Sequence, residues 1–405
     1  MNGAGKTALV VGGSMSGLLA GLMLRQDGWR VDIFERVDTE LAGRGAGIVA
    51  QPELIRHIEN LGLRADALGV QARTRKIFDR VGRVSLTQER EQTLTAWERI
   101  YRLLRDAFPA AHYHRGHGLA TVEQDGAQVT ATFSNGEKRH ADLLVGADGI
   151  RSTVRAQFWP DAKPRYVGYS AWRALIAEDA LPADVLREVF PYMCFGLPPG
   201  EQFLCYPVAG PDNDLRPGHR RLNVIWYRPA DEATKLPWLL TDKSGKPHDI
   251  SIPPPLIRPE AVQEVHDAAE RLLAPPFRAI VALLGEPILQ PIYDLESPHM
   301  ATGRVALIGD AAFVARPHVG AGVSKAADDA AALRAALRKH DDVPAALRDF
   351  EKQRLPQNCR IIEWARHLGA YLQATQTQEE RSRAGRHATD SAVIEETATL
   401  DFLYR

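Results

Sequence analysis

The feature that most constrains the fold is a glycine-rich turn between an apolar strand candidate and a helix candidate near the start of the chain. Thr7 to Val11 is short and apolar, the sequence VVGGSMSG leads out of it, and Ser16 to Arg25 has helical spacing. In doubly wound α/β folds, a turn of this kind places helix N–H groups and the helix dipole where they attract a pyrophosphate. The sequence therefore predicts a Rossmann-like unit that binds a nucleotide.

Individual residues of this region have expected roles. Gly12 permits the tight turn, Gly17 permits close packing of helix on strand, and Ser14 replaces the middle glycine of the usual G-x-G-x-x-G pattern. Glu35 ends a second strand candidate, Val31 to Phe34, where an acidic group accepts hydrogen bonds from a ribose. A solvated carboxylate at a strand end is the alternative for Glu35.

A second glycine-rich turn, GDAAFVARPHVGAG from Gly309 to Gly322, lies far along the chain. It follows the strand candidate Arg304 to Ile308 and precedes renewed helical spacing. Its N–H groups and helix dipole are suited to negative charge, and Asp310 is suited to accept bonds from hydroxyl groups. A solvated helix cap is the alternative for Asp310. Together the two turns predict one long ligand that both of them hold.

Composition limits the class of protein. The chain has 405 residues, 45% hydrophobic and 25% charged, which suits two or three packed globular units. Its formal charge of -1 favours a small-molecule partner over nucleic acid or an anionic membrane. The three cysteines are too scattered for a disulfide framework or a metal site, which indicates a reducing cytoplasm. The apolar stretch Ala8 to Leu24 is shorter than the ~20 residues of a membrane span.

The chain between the two turns is rich in strand signals. Thr74 to Thr95 alternates like short strands, and Ala120 to Thr132 and Lys138 to Val145 favour strands joined by a hairpin turn at Ser134-Asn135-Gly136. Tyr166 to Trp226 contains aromatic residues, prolines and alternating apolar runs. This pattern predicts a largely antiparallel sheet that supplies the wall of a substrate pocket.

Three segments, in this order, resemble the fingerprints of the single-component, FAD-dependent aromatic hydroxylases, the para-hydroxybenzoate hydroxylase-like family. They are GGSMSG with Glu35, GADGIRSTVR from Gly146 to Arg155, and GDAAFVARPHVGAG; the resemblance covers about Ala8 to Ala370. It implies FAD as cofactor, NADH or NADPH as co-substrate, and a small aromatic substrate with dioxygen. It also implies that Asp148 and Gly149 help to hold FAD, that the first turn holds the adenosine pyrophosphate, and that the second holds the ribityl chain and flavin ring.

The resemblance also implies a mechanism. NAD(P)H reduces FAD, dioxygen gives a flavin hydroperoxide, and its distal oxygen is transferred to an electron-rich ring carbon, with water as the other product. The segments GGSMSG, GAGIVAQPEL, YVGYSAWR, LNVIWY and RPHVGAGVSKAADDA are similar to the branch that hydroxylates 2,6-dihydroxypyridine at carbon 3 in bacterial nicotine degradation. A hydroxylase of a salicylate-like or purine-like ring is the first alternative. A flavin-binding protein without turnover is an alternative of another class.

The expected fold class is α/β: a Rossmann-like FAD-binding domain with an inserted, mainly antiparallel sheet as substrate domain, followed by C-terminal helices. The ranges are 1–73, 98–165 and 291–370 for a discontinuous FAD-binding domain, 74–97 and 166–290 for the substrate domain, and 371–405 for a C-terminal helical segment. A homodimer is one expectation for the assembly, which the sequence does not fix.

Candidate catalytic and substrate residues lie in or near the second turn and the aromatic sheet. His318 is the first candidate for proton transfer because histidine titrates near neutral pH, and a structural histidine is the alternative. Tyr206 is a candidate to hydrogen-bond a ring hydroxyl, and Arg173 and Trp226 either face the pocket or stabilise the sheet. The residues predicted to bind the cofactor are Gly12, Ser14, Met15, Ser16, Gly17, Glu35, Arg36, Gly47, Gln51, Asp148, Gly149, Asp310, Pro317, Gly320, Ala321, Gly322 and Val323, and none is predicted to bind a metal.

Two positions depart from the family pattern. Phe313 stands where many members have a histidine after Gly-Asp-Ala-Ala. Trp97 stands where an arginine often contacts FAD, with Arg99 and Arg102 nearby, so the sequence leaves open which of the three contacts the cofactor. It also leaves open the choice between NADH and NADPH.

Overall fold

The computed structural model describes residues 3–41, 47–66 and 68–403. Gly45 and Ala46, the first two residues of the GAGIVAQPEL segment, lie outside these ranges. Helices combine with a six-stranded, a nine-stranded and a three-stranded sheet. The predicted α/β class is therefore confirmed.

The six-stranded sheet contains the strand that leads into the first glycine-rich turn. Its spatial order is β16 (Ala301–Thr302), β17 (Val305–Leu307), β10 (Leu143–Gly146), β1 (Thr7–Val11), β2 (Arg30–Phe34) and β6 (Tyr113–His114). All neighbours pair in parallel except β16, which is antiparallel to β17. Because β1 and β10 are central and almost wholly buried, both are continuous apolar runs without alternation.

Helices pack against one another around this sheet. They are α1 (Met15–Gln26), α2 (Pro52–Asn60), α3 (Trp97–Ala107), α4 (Thr153–Phe158), α9 (Gly322–Lys339) and α10 (Val343–Gly369). α1 packs on α3 and α9, and α9 in turn packs on α2 and α10. One hydrophobic core joins residues of these helices to β1, β2, β10 and β17. This packing brings the start of α1 and the start of α9 to the same region.

The nine-stranded sheet is mainly antiparallel, as the alternating aromatic segment predicts. Its order is β18 (Phe313–Val314), β15 (Ile288–Glu296), β11 (Arg165–Ala177), β14 (Arg221–Pro229), β13 (Gln202–Val208), β12 (Met193–Gly196), β4 (Val70–Phe78), β5 (Val84–Ala96) and β3 (Gly47–Ala50). Only the β12–β4 pair is parallel among its described neighbours. The domain boundaries predicted at residues 73 and 290 fall inside β4 and β15, and the division into domains stays a prediction.

The two faces of this sheet belong to different hydrophobic cores. On one face Trp226 and Phe203 pack with Phe277. The helices on the side of that core are α5 (Ala183–Glu188), α6 (Lys235–Leu239), α7 (Pro259–Leu272) and α8 (Pro275–Val281). On the other face Ile225 and Tyr227 join a second core, which includes residues of the helix α12 (Asp390–Glu396). The helix α11 (Gln378–His387) precedes α12 in the chain. The sheet thus separates a structural core from the side that carries the site.

The three-stranded sheet corrects two strand predictions. The stretch Ala120 to Thr132 is not one strand but β7 (Leu119–Gln124) and β8 (Val129–Phe133), separated by a turn in which Asp125 Oδ1 accepts from the amides of residues 127 and 128. The hairpin turn at Ser134-Asn135-Gly136 joins β8 to β9 (Lys138–Ala141), as predicted. The second predicted strand is divided, because β9 stays in this sheet and β10 enters the six-stranded one.

α10 is 27 residues long but carries charged side chains along its length. Across the residues that the structure describes, no helix has both the length and the apolar character needed to cross a membrane.

Candidate active site

The first glycine-rich turn needs its glycines for space and conformation. Gly12 has a φ of +108°, and a Cβ on it would lie 2.3 Å from the carbonyl oxygen of Ala147. A Cβ on Gly17 would lie 1.9 Å from the Gly12 carbonyl oxygen, so only glycine lets α1 approach the turn. These two glycines shape the turn through close backbone contacts.

Glu35 braces the same turn from the end of β2. Its buried carboxylate accepts from the backbone N–H of Gly13 at 2.8 Å and from that of Val37 at 3.0 Å. Each oxygen thus accepts one protein hydrogen bond and keeps acceptor capacity for a further donor. Glu35 is therefore positioned both to hold the turn in shape and to accept from a ribose.

The helices α1 and α9 both begin without a side-chain cap. Ser14 and Ala321 are their N-cap residues, and neither side chain accepts a hydrogen bond from the helix backbone. The two turns also touch, since a Cβ on Gly309 would lie 2.3 Å from Ser16 Oγ. Two helix N-termini with free N–H groups therefore lie side by side, which makes this region favourable for negative charge.

A cavity of about 360 Å³ lies between these helix starts and the nine-stranded sheet. At Gly149 and Gly322, which line it, a Cβ would meet nothing within 4 Å, so open space lies directly against the backbone. A second cavity of about 540 Å³ shares several wall residues with the first. The shared walls include Gly149, Arg173, Gln290, Asp310 and Pro317. The two cavities thus form neighbouring parts of one long cleft.

Two carboxylates in this cleft fit a ligand rich in hydroxyl groups. Asp148 accepts from the amide of Thr153 through Oδ2 at 2.7 Å, whereas its buried Oδ1 has no partner among the described residues. Asp310 lines both cavities with an exposed side chain. Loss of hydration in the cleft raises the pKa of both carboxyls, and the positive charge of Lys325 opposes this rise at Asp310. The orphaned oxygen, the open glycine cradle and the two helix starts together fit FAD.

His318 lies at the wall of the first cavity as a neutral imidazole. Its Nε2 and the Tyr169 hydroxyl share a hydrogen bond of 2.9 Å, and its buried Nδ1 has no partner in the described chain. Burial, with the Arg316 cation nearby, lowers the His318 pKa to about 3. At neutral pH this environment favours a hydrogen-bonding role over proton exchange.

Two tyrosines supply further polar groups to the apolar wall, and Asn223 contacts Gly47 of that wall. Burial raises the pKa of Tyr206 to about 12, and the pKa of Tyr227 is raised as well, so both phenols stay protonated. Asn223 Oδ1 accepts from the Gly47 amide at 2.7 Å, while its buried Nδ2 is unpartnered within the described residues. A Cβ on Gly47 would lie 2.8 Å from the Tyr206 ring, so a glycine is needed there.

Arg173 places a cation at the junction of the two cavities. It donates through Nη1 to Gln290 Oε1 at 2.9 Å and through Nη2 to the Gly47 carbonyl at 3.2 Å. Its Nε is buried without a partner among the residues that the structure describes. Both acceptors are neutral, so the guanidinium charge is available to a ligand.

Most of the predicted site residues come together in this cleft. Those lining the first cavity are Ser14, Met15, Ser16, Gly47, Gly149, Arg173, Tyr206, Asp310, Pro317, His318, Gly320, Gly322 and Val323. Arg36 and Asp148 line the second cavity. The remaining predicted residues, Gly12, Gly17, Glu35, Gln51 and Ala321, belong to the turns and helix starts behind the walls.

Trp226 is the exception. It lies on the opposite face of β14 from Ile225 and Tyr227, and its ring packs against Phe203 in the other core. It is absent from the described residues that line either cavity. Of the two roles predicted for Trp226, the pocket-facing one is wrong and the stabilisation of the sheet fits the structure, because strand alternation directs its side chain away from the cleft.

The structure adds wall residues that the sequence did not single out. They include Ile48, Val49, Met193, Leu204, Ile225, Tyr227, Gln290, Thr397 and Ala398. Trp97, one of three candidates left open, lines the cavity and stacks on Tyr101, whereas Arg102 binds Glu98 and Asp212 at the surface. Ile225 and Tyr227 are two residues apart in β14, so the sequence could have shown that they share one face of the sheet.

Known proteins are similar to this chain over most of its length. A family model described as FAD binding domain-like matches residues 166–294. The chain is 34% identical over 370 residues to 2,6-dihydroxypyridine 3-monooxygenase of Paenarthrobacter nicotinovorans, covering 90% of this chain and 91% of that protein. It is 31% identical to 3-amino-4-hydroxybenzoate 2-monooxygenase of Streptomyces cremeus, covering 89% and 86%. The solved structure of 2,6-dihydroxypyridine-3-hydroxylase from Arthrobacter nicotinovorans superposes with a TM-score of 0.86 at 32% identity, covering 92% and 94% of the two chains.

Proposed function

The chain belongs to the FAD-dependent aromatic monooxygenases, as its motifs predicted, and on that premise we propose that it hydroxylates 2,6-dihydroxypyridine at carbon 3. It is a flavoprotein enzyme with FAD as cofactor and NAD(P)H as co-substrate. Bound FAD supplies the electron transfer from NAD(P)H and the activation of dioxygen. The side chains of the cleft bind and orient the ring and exclude water from it.

The observation that carries the substrate proposal is the lining of the 360 Å³ cavity. Ile48, Leu204 and Ile225 give it apolar walls suited to the faces of a small planar ring. Tyr206 and Tyr227 bring phenolic groups to the same wall. A ring with polar groups at its edge, such as a dihydroxypyridine, satisfies both kinds of surface.

The unpartnered imidazole nitrogen of His318 suggests how the ring is oriented. We assign His318 Nδ1, on the cavity wall, as a partner of a ring hydroxyl. Because His318 stays neutral, it orients the hydroxyl without carrying charge, and Tyr169 fixes the direction of its imidazole through Nε2. These roles are part of the proposal.

The cofactor contacts are proposed in the same way. The start of α1 is expected to hold the pyrophosphate and the start of α9 the electron-rich flavin ring. Asp310 and the free Oδ1 of Asp148 are expected to accept from hydroxyl groups of FAD. The predicted division into a discontinuous FAD-binding domain and a substrate domain is proposed on the basis of the two larger sheets.

The test is a substrate panel with dioxygen labelled as ¹⁸O₂. Purified holoenzyme receives 2,6-dihydroxypyridine, salicylate, 3-amino-4-hydroxybenzoate or urate, each with NADH and with NADPH. We expect a hydroxylated dihydroxypyridine carrying one ¹⁸O, detected by mass spectrometry. NAD(P)H consumption that yields hydrogen peroxide without this product, or hydroxylation of another ring in preference, would contradict the proposal.

A second candidate substrate is a ring that carries a carboxylate, such as an amino- or hydroxybenzoate. Arg173 favours it, because this cation lines the cavity and its hydrogen bonds go to neutral acceptors. Arg173→Gln separates the two candidates. A large loss of kcat/KM for a benzoate, with little change for the pyridine, which has no carboxylate, would identify the guanidinium as a carboxylate ligand.

A further inference from the structure

The segment that follows α12 forms part of the cavity wall. Thr397 and Ala398 line the cavity, although they lie just after the last described α-helix, α12. The Ala398 amide donates to the His318 carbonyl at 2.6 Å, and Gln51 Nε2 donates to the Ala398 carbonyl at 2.9 Å. This segment therefore bridges the second glycine-rich turn and the start of α2, two elements that border the cofactor.

Arg75 in β4 fixes that segment from behind. Its side chain is fully buried, and Nη1 donates to the carbonyl of Ile394 at 2.5 Å and to that of Thr397 at 2.9 Å. Its Nε donates to Gln92 Oε1 at 2.8 Å. The two carbonyls lie at the C-terminal end of α12, where the helix dipole favours a cation.

Burial of the charged Arg75 side chain lowers the stability of the fold, because the cation loses its hydration. Burial lowers its pKa to about 9, and its Nη2 has no partner among the described residues. The guanidinium donates to one side-chain amide oxygen and two backbone carbonyl oxygens. None of these acceptors is a carboxylate, so no hydrogen-bonded negative charge offsets the hydration that the cation loses. An apolar side chain would fill this space without that cost. What the guanidinium adds is a set of donors that fixes the position of two backbone carbonyls, both bound by Nη1, and joins them to Gln92 through Nε.

We infer that Arg75 is a positioning residue for oxygen transfer: it holds residues 394–398 as the closed C-terminal wall of the substrate cavity. This inference rests on the proposed function for its catalytic consequence. Arg75 acts through Thr397 and Ala398, which line the cavity, whereas Arg75 is not among the described residues of that lining. A closed wall keeps water away while oxygen is transferred to the ring.

The consequence is measurable as the products that dioxygen forms, either a hydroxylated ring and water or hydrogen peroxide. In the coupled reaction, NAD(P)H, a proton, dioxygen and the aromatic C–H yield NAD(P)⁺, the aromatic C–OH and water. In the uncoupled reaction, NAD(P)H, a proton and dioxygen yield NAD(P)⁺ and hydrogen peroxide, and the ring is unchanged. A loosened wall shifts turnover from the first stoichiometry to the second.

The experiment compares Arg75→Met and Arg75→Lys with wild type, and Arg90→Gln is the matched control. Arg90 also tethers the chain end, through Asp401 at 2.9 Å, but at the surface and beyond the cavity wall. Hydrogen exchange of residues 394–400 is measured on the full-length protein without substrate. Product per NAD(P)H consumed is measured with whichever ring the wild type hydroxylates.

We expect both Arg75 variants to exchange residues 394–400 about tenfold faster, because each loses hydrogen bonds from a charged donor. Product per NAD(P)H should fall severalfold while NAD(P)H oxidation continues, with Arg75→Lys less affected than Arg75→Met and Arg90→Gln like wild type. If Arg75→Met does not fold, Arg75→Lys carries the test.

The inference is overturned if the Arg75 variants exchange residues 394–400 at the wild-type rate, or if they exchange faster but still form as much product per NAD(P)H as wild type. It is also overturned if Arg90→Gln changes exchange and product yield as much as the Arg75 variants do. Failure of the proposed function has a different signature. In that case the wild type hydroxylates no ring of the panel, while hydrogen exchange still tests the anchoring by Arg75.

Discussion

The imidazole of His318 lies among Tyr169, Tyr227 and Arg316, away from bulk water. Its pKa is lowered to about 3, whereas an unfolded chain holds histidine near its ordinary value of about 6.5. Between these values the unfolded chain binds a proton that the folded chain excludes. Stability from this residue is therefore complete above pH 6.5 and is lost as the pH falls toward 3.

Replacing His318 with glutamine should weaken the acid sensitivity of the fold. The neutral imidazole contributes about 2 kcal/mol of pH dependence between pH 7 and pH 5, and glutamine does not titrate. Urea unfolding of wild type and His318→Gln at the two pH values measures this difference. His367, with a pKa lowered to about 4, remains in both proteins, so some acid sensitivity persists. An equal loss of stability in both proteins would show that His318 titrates normally.

Glu35 should contribute to FAD affinity through the shape of the first turn. In Glu35→Gln the side-chain nitrogen cannot accept from a backbone amide, so one of the bonds to Gly13 and Val37 is lost. We expect the Kd for FAD to rise about tenfold, measured by quenching of flavin fluorescence on the apoprotein. Asp38→Asn, an exposed neighbour, is the control. Unchanged affinity in Glu35→Gln would remove Glu35 from the cofactor site.

At the scale of elements, α10 ends where it meets the second glycine-rich turn. A Cβ on Gly369 would lie 2.3 Å from the Tyr169 hydroxyl oxygen and 3.2 Å from His318 Cδ2. Gly369→Ala should therefore displace Tyr169 and cost about 1–3 kcal/mol of unfolding free energy. Gly385 in α11 has nothing within 4 Å of its virtual Cβ, so Gly385→Ala should instead add up to ~1 kcal/mol.

Denaturant unfolding of the two variants tests this contrast. Because both changes add one methyl group to a helical glycine, helix propensity alone predicts the same sign for them. If Gly369→Ala and Gly385→Ala raise the free energy of unfolding equally, Tyr169 moves aside without loss of stability.

Elements with local signals were predictable from the sequence, and the face of a buried strand was not. The strand, turn and helix at Gly12 to Gly17 are contiguous, so their pattern is visible in one window. β14 is buried on both faces over most of its length and has no polar alternation to mark the pocket side. The sequence singled out Trp226 and not Tyr227, although of these two only Tyr227 reaches the cavity.

The C-terminal part of the cavity wall was hidden for another reason. Ala398 bonds to Gln51 across 347 positions of the chain, and no motif marks either residue for that contact. Such contacts follow from the packing of the whole chain. The predicted C-terminal helical segment contains α11 and α12, but its approach to the cleft required the structure.

For the whole molecule, the cofactor cleft draws on three distant parts of the chain. The first turn, Asp148 with Gly149, and the second turn meet there. FAD binding should therefore stabilise the complete fold, by about 2.7 kcal/mol when free FAD is 100 times its Kd. Thermal unfolding at increasing FAD concentration measures this linkage as a rising Tm. A Tm independent of FAD would contradict a site built from all three parts.

The pairing of β10 with β17 has a consequence for biosynthesis. β1, β2 and β10 emerge early from the ribosome, but β10 pairs on its other side with Val305–Leu307. Until three quarters of the chain has been translated, that apolar strand has an open edge, which is a template for aggregation. Translational pauses or truncation before residue 305 should therefore leave nascent chains dependent on chaperones, whatever the cofactor supply.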